Sequence, residues 1–325
     1  MTAIETPTNA GTGTAAATGT TPDTGTTPDT GTTRVEGVLA GGGADAAYGR
    51  EPFGARLRAA MDDRGPLCVG LDPHPGILTG WGLSDDAAGL AEFAKICVEA
   101  FAGRVPAVKP QSAFYEAHGS AGVAVLEDLL AGFRDSGTLT ILDVKRGDIG
   151  STMAGYARAY LAEGSPLAAD AITVSPYLGF ESLRPALDLA AATGRGLFVL
   201  TLTSNPEGRG VQHATGEGGS VAATMVAGAA RENAAAGAAG RLGDVGLVIG
   251  ATVGSAIADL GLDLRAANTP ILAPGFGAQG AGPSELARVF GAALPNVLAS
   301  SSRDVLVVGP QLSALREAGK LGFIH

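Results

Sequence analysis

Residues 139–161 read LTILDVKRGDIGSTMAGYARAYL. An apolar, strand-forming run from Leu139 to Val144 passes through a charged turn into a segment of helical character from Met153 to Leu161. The same unit recurs. Short apolar runs at Leu67–Leu71, Ala107–Lys109, Leu139–Val144, Ala171–Val174, Leu197–Leu202, Gly246–Ile249, Pro270–Ala273 and Val297–Ala299 give eight candidate strands. Between them lie segments long enough to be crossover helices: Ala87–Ala102, Gly122–Arg134, Met153–Leu161, Leu183–Ala192, Val221–Ala236 and Glu285–Phe290. Regular β/α alternation implies a parallel sheet, and eight repeats across residues 51–325 fit a closed (β/α)8 TIM barrel. A doubly wound sheet is the main rival. The first run, however, is followed by DPHP (Asp72–Pro75) rather than by a glycine-rich dinucleotide turn.

The first 50 residues are of another kind. TGTTPD repeats from Thr18 to Thr33, followed by a Gly-Ala stretch from Gly41 to Ala47. Small polar repeats cannot bury enough apolar surface to offset the entropy of ordering, so residues 1–50 are expected to form a disordered low-complexity extension to a barrel domain at 51–325. The whole chain of 325 residues has a formal net charge of -10. That balance argues against a broad nucleic-acid or membrane surface, and an anionic ligand must be met by a few local cations. Cys68 and Cys97 sit in apolar surroundings without metal-ligand or disulfide-scaffold spacing, which fits a reducing cytoplasm. No apolar run is long enough to span a bilayer, and no signal-peptide pattern opens the chain.

A barrel places its chemistry where strands end and βα loops begin. The polar residues at those ends are Asp72, Lys109 with Gln111, Asp143 with Lys145, Ser175, Thr203 with Ser204, the GFGAQG loop at Gly275–Gly280, and Arg303. Asp143, Lys145 and Asp148 form a DxKxxD array. Residues two apart on a strand share a face, so Asp143 and Lys145 are expected to point the same way, with two acids bracketing one lysine. Lysine is scarce here: Lys95, Lys109, Lys145 and Lys320 are the only four, and two of them fall at strand ends. Alternating charges can share a poorly solvated pocket only as a network. The glycine-rich loop can bring backbone N–H groups to an anion, with Gln279 adding an amide and Arg303 a forked cation, which suits a phosphate. Asp72 could accept from sugar hydroxyls. The four histidines show no metal-ligand spacing.

The ordered set VGLDP (69–73), AVKPQ (107–111), DVKRGDIGST (143–152), SPYLG (175–179), LTSNP (202–206), GFGAQG (275–280) and Arg303 resembles the orotidine 5'-phosphate decarboxylase family. KPQSAFYE (109–116) and TSNPEG (203–208) resemble its longer bacterial branch. The resemblance implies conversion of orotidine 5'-phosphate to UMP and CO2 in pyrimidine biosynthesis, without cofactor or metal. It implies that Lys145 protonates C6 of the pyrimidine, that Lys109, Asp143 and Asp148 complete a Lys-Asp-Lys-Asp network, and that Asp143 lies beside the departing carboxylate. It further implies that Asp72 and Lys109 hold ribose hydroxyls, that Ser204 contacts the base, and that Gln279 and Arg303 bind the 5'-phosphate. Asp148 and Thr152, four apart where a helix should begin, would reach the active site of the other subunit of a homodimer. Two features depart from the family pattern: Ser302, where many members carry glycine, precedes Arg303, and the Thr-Pro-Asp repeat has no counterpart.

Three other readings stay open at this stage. A metal-dependent sugar-phosphate decarboxylase or aldolase can carry a similar DxKxxD, although such relatives place an acidic metal ligand where Lys109 stands. A Schiff-base aldolase would use the lysine as a nucleophile, which two flanking acids oppose. A catalytically silent nucleotide sensor would keep the phosphate site without the ionic network.

Overall fold

The computed structural model describes residues 49–277 and 280–320. The Thr-Pro-Asp repeat and Gln279 lie outside the described residues. Eight parallel strands close on themselves: β1 (Leu67–Leu71), β2 (Ala107–Pro110), β3 (Leu139–Arg146), β4 (Ala171–Val174), β5 (Gly196–Leu202), β6 (Val245–Ile249), β7 (Ile271–Pro274) and β8 (Val297–Ser301). Each pairs with its sequence neighbours, and β1 pairs with β8 through Leu67 opposite Ala299, which seals the cylinder. The expected (β/α)8 barrel is the fold. Helices Ala87–Phe101, Gly119–Phe133, Gly150–Leu161, Arg184–Thr193, Val221–Ala238 and Pro283–Phe290 match the six expected crossover segments, three of them beginning two or three residues earlier.

Strand parity divides the core in two. Outward residues such as Leu142, Val144, Ile172 and Leu247 join the helices in one large apolar layer. Inward residues, among them Cys68, Ala107, Leu139, Ile141, Phe198 and Leu272, form a second cluster inside the cylinder. The interior is sealed at its lower end by an element the apolar periodicity leaves unassigned, the helix Phe53–Arg64 (α1). Phe53, Leu57 and Met61 of α1 are buried among the inward residues. The ring of Phe53 meets that of Phe198 edge-on with centroids 5.9 Å apart. Glycine is required beneath it: a Cβ on Gly196 would stand 2.3 Å from the Phe53 ring, and one on Gly54 2.3 Å from the carbonyl oxygens of Leu242 and Gly243. Polar contacts fix the same plug. Arg56 donates to Asp170 at 2.5 Å and the backbone N–H of Gly54 donates to Asp244 at 2.7 Å. With one end filled by side chains, the barrel interior opens at the opposite end, where the strands finish.

Candidate active site

The inward parity that places Ala107, Ile141 and Leu298 in the core continues up each strand to the open end, where the side chains become polar. Asp72 follows β1, Lys109 is on β2, Asp143 and Lys145 are on β3, and Thr173 is on β4. They line a cavity of about 380 Å3 together with Leu200, Val248 and Leu272 as an apolar floor, and Pro274, Phe276 and Arg303 on the far wall. A larger groove of about 620 Å3 lies by α1 among Arg50, Arg56, Glu163, Asp170 and Arg195. Those charges pair with one another, Arg56 with Asp170 and both Arg50 and Arg195 with Glu163.

Asp143 is the hub. Its Oδ2 accepts from Lys109 Nζ at 3.0 Å, and its Oδ1 accepts from Lys145 Nζ at 2.5 Å and from Thr173 Oγ1 at 2.8 Å. The Lys109 ammonium also lies 3.8 Å from Asp72 Oδ1 and 3.4 Å from Gln111 Oε1. Burial opposes the charge on Asp143, but Lys109 and Lys145, with the hydrogen bonds from Lys145 and Thr173, outweigh it and lower its carboxyl to about 2. Burial likewise opposes the charge on Lys109, and Asp72 and Asp143 reverse that and raise its pKa above the ordinary lysine value. Both groups are therefore held ionised in a place that would otherwise neutralise them. Asp72 Oδ1 is buried without a hydrogen bond, 3.8 Å from the Lys109 ammonium.

Sequence parity is correct for Asp143 and only partly so for Lys145. The β3–β4 register shifts between Leu142 and Arg146, and Lys145 has φ +45°. The ladder is broken at the lysine, and its Nζ nevertheless turns back to Asp143. Two acids do not bracket Lys145 within the chain. Instead two lysines bracket Asp143, while Asp148 is half-buried outside the cavity and its Oδ1 accepts from the backbone N–H of Ile149 at 2.8 Å. Thr152 is exposed on the helix Gly150–Leu161 and does not line the cavity. Ser204 lies in an adjoining cavity with Asn205, Arg209 and His213, and its neighbour Thr203 lines both. Arg303 opens the short helix Arg303–Leu306 at the cavity mouth. Ser302 also lines the cavity and packs on β1, where a Cβ on Gly70 would meet the Ser302 Cβ at 2.6 Å.

Thr173 and His74 are the site residues that motif reading does not single out. Thr173 is hidden inside an apolar run, although Ala171 on the same strand is inward, so parity carries residue 173 into the barrel as well. His74 meets Phe114 edge-on at the rim, with ring centroids 4.2 Å apart and planes inclined at 62°.

Comparison with known proteins adds to this geometry. The model of the Orotidine 5'-phosphate decarboxylase / HUMPS family matches residues 65–313, the whole barrel. The chain belongs to that family. An orotidine 5'-phosphate decarboxylase of Streptomyces coelicolor is 59% identical over 270 residues, covering 82% of this chain and 94% of that protein. One from Salinispora arenicola is 57% identical over 269 residues, with the same coverage of 82% and 94%. Among solved structures, a Streptomyces avermitilis protein assigned as an orotidine 5'-phosphate decarboxylase superposes with a TM-score of 0.80 at 57% identity, covering 84% of this chain and 94% of that one. In family terms, the cavity with Lys109, Asp143 and Lys145 at its base holds the residues that the DxKxxD motif singles out, apart from Asp148.

Proposed function

We infer that the chain decarboxylates orotidine 5'-phosphate to UMP and CO2, and that Lys145 delivers the proton that replaces the carboxylate. The observation that carries this reading is the Lys109–Asp143–Lys145 triad, a carboxylate held ionised between two ammonium groups at the base of a cavity with an apolar floor. Loss of CO2 from C6 leaves an electron pair in the plane of the ring, where the π system cannot absorb it. A fixed ammonium beside C6 stabilises that charge and then quenches it as a C–H bond. Such slow reactions need barrier reductions on the order of 20 kcal/mol. Part comes from binding remote from C6. Arg303 across the cavity, with Gln279, would grip the 5'-phosphate, while Asp72 and Lys109 would take the ribose hydroxyls and Ser204 the base. Asp143 beside the substrate carboxylate would destabilise the ground state and ease departure of CO2.

Three cations face two carboxylates in the cavity, which suits a trianionic nucleotide. The same arrangement weighs against a metal-dependent relative. Lys109 Nζ stands 3.0 Å from Asp143, where a divalent cation would be repelled. Among the described residues no group of three or more His, Cys, Asp and Glu side chains could hold a metal ion.

A homodimer completes the proposal, with Asp148 and Thr152 supplied to the partner's cavity. Supporting it, Ile149, Tyr177 and Leu178 are 62%, 79% and 54% exposed on the loops after the neighbouring strands β3 and β4, an apolar rim beside Asp148. Residues 51–325 are proposed as one decarboxylase domain following the extension at 1–50. Two free, buried cysteines support a reducing cytoplasm. Among the described residues no helix is long and apolar enough to cross a membrane. The decisive test follows loss of orotidine 5'-phosphate absorbance with purified protein, with and without EDTA, beside Lys145→Ala. EDTA-insensitive turnover that the variant lowers by at least about 10^2–10^4-fold while still binding UMP is the expected outcome. A variant with near-normal turnover refutes the role of Lys145, and EDTA-sensitive turnover refutes the metal-free mechanism.

A further inference from the structure

We propose that Thr173 is a positioning residue for decarboxylation, whose hydroxyl holds both the backbone of Lys145 and the carboxylate of Asp143 in their working geometry. The proposal rests on the reading that Lys145 is the proton donor. The Lys145 N–H donates to Thr173 Oγ1 at 3.0 Å, Thr173 Oγ1 donates to Asp143 Oδ1 at 2.8 Å, and Lys145 Nζ donates to that same Oδ1 at 2.5 Å. These three bonds form a closed loop through both ends of the lysine. A hydroxyl has one proton to give, so once it donates to Asp143 its lone pairs are left for the Lys145 N–H, and each polarity in the loop is satisfied.

The loop explains how an unfavourable backbone is kept. Lys145 lies at φ +45°, a conformation that costs a non-glycine residue on the order of 1 kcal/mol or more. At this point the β3–β4 register shifts, and the Lys145 N–H loses the regular strand partner that would otherwise satisfy it. Thr173 supplies the replacement acceptor from the neighbouring strand. It is only 1% exposed, so water does not readily substitute. β-Branching restricts its χ1, and its β4 backbone is fixed by pairing of Thr173 with Phe198 on β5. The Lys145 side chain is 44% exposed and its stem is long and flexible, so its direction has to be set from its base and from Asp143. One hydroxyl does both.

The test compares Thr173→Val, Thr173→Ser and Thr173→Ala with the wild type and Lys145→Ala, measuring kcat and KM for orotidine 5'-phosphate and Kd for UMP. Removing the hydroxyl deletes two buried hydrogen bonds, one of them to a charge, so Thr173→Val is expected to lower kcat by about 30- to 100-fold. KM and the UMP Kd should stay within about threefold, because ribose and phosphate contacts lie elsewhere. Thr173→Ser should recover kcat to within about fivefold, since it restores both bonds with a freer χ1. If Thr173→Val does not fold, the Ser and Ala variants decide, as they differ by a single oxygen. Equal kcat in those two, or a Thr173→Val enzyme within about threefold of wild type, overturns the proposal. An equal rise in KM and UMP Kd with kcat preserved also overturns it. If Lys145→Ala itself keeps its activity, the underlying assignment of the proton donor has failed instead, and the two failures are distinct.

Discussion

Replacing Asp143 by asparagine tests the central claim that one carboxylate holds two ammonium groups in the barrel mouth. The side chain keeps its shape and loses its charge. In the folded protein the Asp143 carboxyl is lowered from 3.8 to about 2, which corresponds to roughly 2 kcal/mol favouring the ionised folded state. The substitution also leaves Lys109, only 6% exposed, without its closest counter-ion. Breaking a buried pair usually costs about 3–5 kcal/mol, and Asp72 at 3.8 Å offsets part of this. Asp143→Asn is therefore expected to destabilise the protein by about 2–3 kcal/mol at neutral pH. The sign of the pH dependence follows from the direction of the shift. A depressed carboxyl contributes its full stabilisation above the unfolded-state pKa, and the contribution is lost as pH falls through the folded-state value. The stability gap between wild type and variant should be constant above about pH 5 and shrink between 3.8 and about 2. Urea unfolding of both proteins over this range measures it. A variant as stable as wild type at pH 7, or a gap that does not narrow in acid, would refute the reasoning.

Phe53→Ala empties the plug of the cylinder and should cost about 3–5 kcal/mol in thermal or chemical unfolding. It should leave KM near normal, and a strongly raised KM would mean that α1 shapes the ligand end as well. Arg303→Ala should raise KM for orotidine 5'-phosphate by at least about tenfold while leaving the slow turnover of phosphate-free orotidine unchanged. Equal losses on both substrates would remove Arg303 from the phosphate site. Ile149→Arg places a charge in the exposed apolar rim, and sedimentation should show more monomer together with lower activity per chain. Unchanged assembly would separate this rim from any subunit contact.

The barrel was readable because each strand is a compact apolar run and each crossover an Ala- and Leu-rich stretch, so Ala171–Val174 emerges with its observed ends. Helix α1 was not, since Phe53, Leu57 and Met61 are spaced among arginines and aspartates, and their burial depends on a cylinder formed later in the chain. At the site, Lys109, Asp143 and Lys145 announce themselves as charges ending apolar runs. Their pattern of pairing did not follow, because the positive φ of Lys145 and the break in register are tertiary outcomes. Thr173 looked like an ordinary strand former, and its meaning depends on which neighbour's N–H loses its partner. Asp148, paired in sequence with Lys145, is turned by the loop to its own following N–H.

The division of labour around the barrel has a consequence for how the protein senses its ligand. Asp72, Lys109, Asp143, Lys145 and Thr173 all lie on or just after the first four strands, whereas Pro274, Phe276 and Arg303 lie on or just after the last two. On the proposed binding mode, a nucleotide gripped at its phosphate by one half-barrel and at its base by the other would act as a removable cross-brace over the β8–β1 seam, a joint held otherwise by strand pairing and packing. Occupancy should then be felt as stiffening of that seam. A fragment carrying only a phosphate, or only a pyrimidine, ties down one half and leaves the other as free as before.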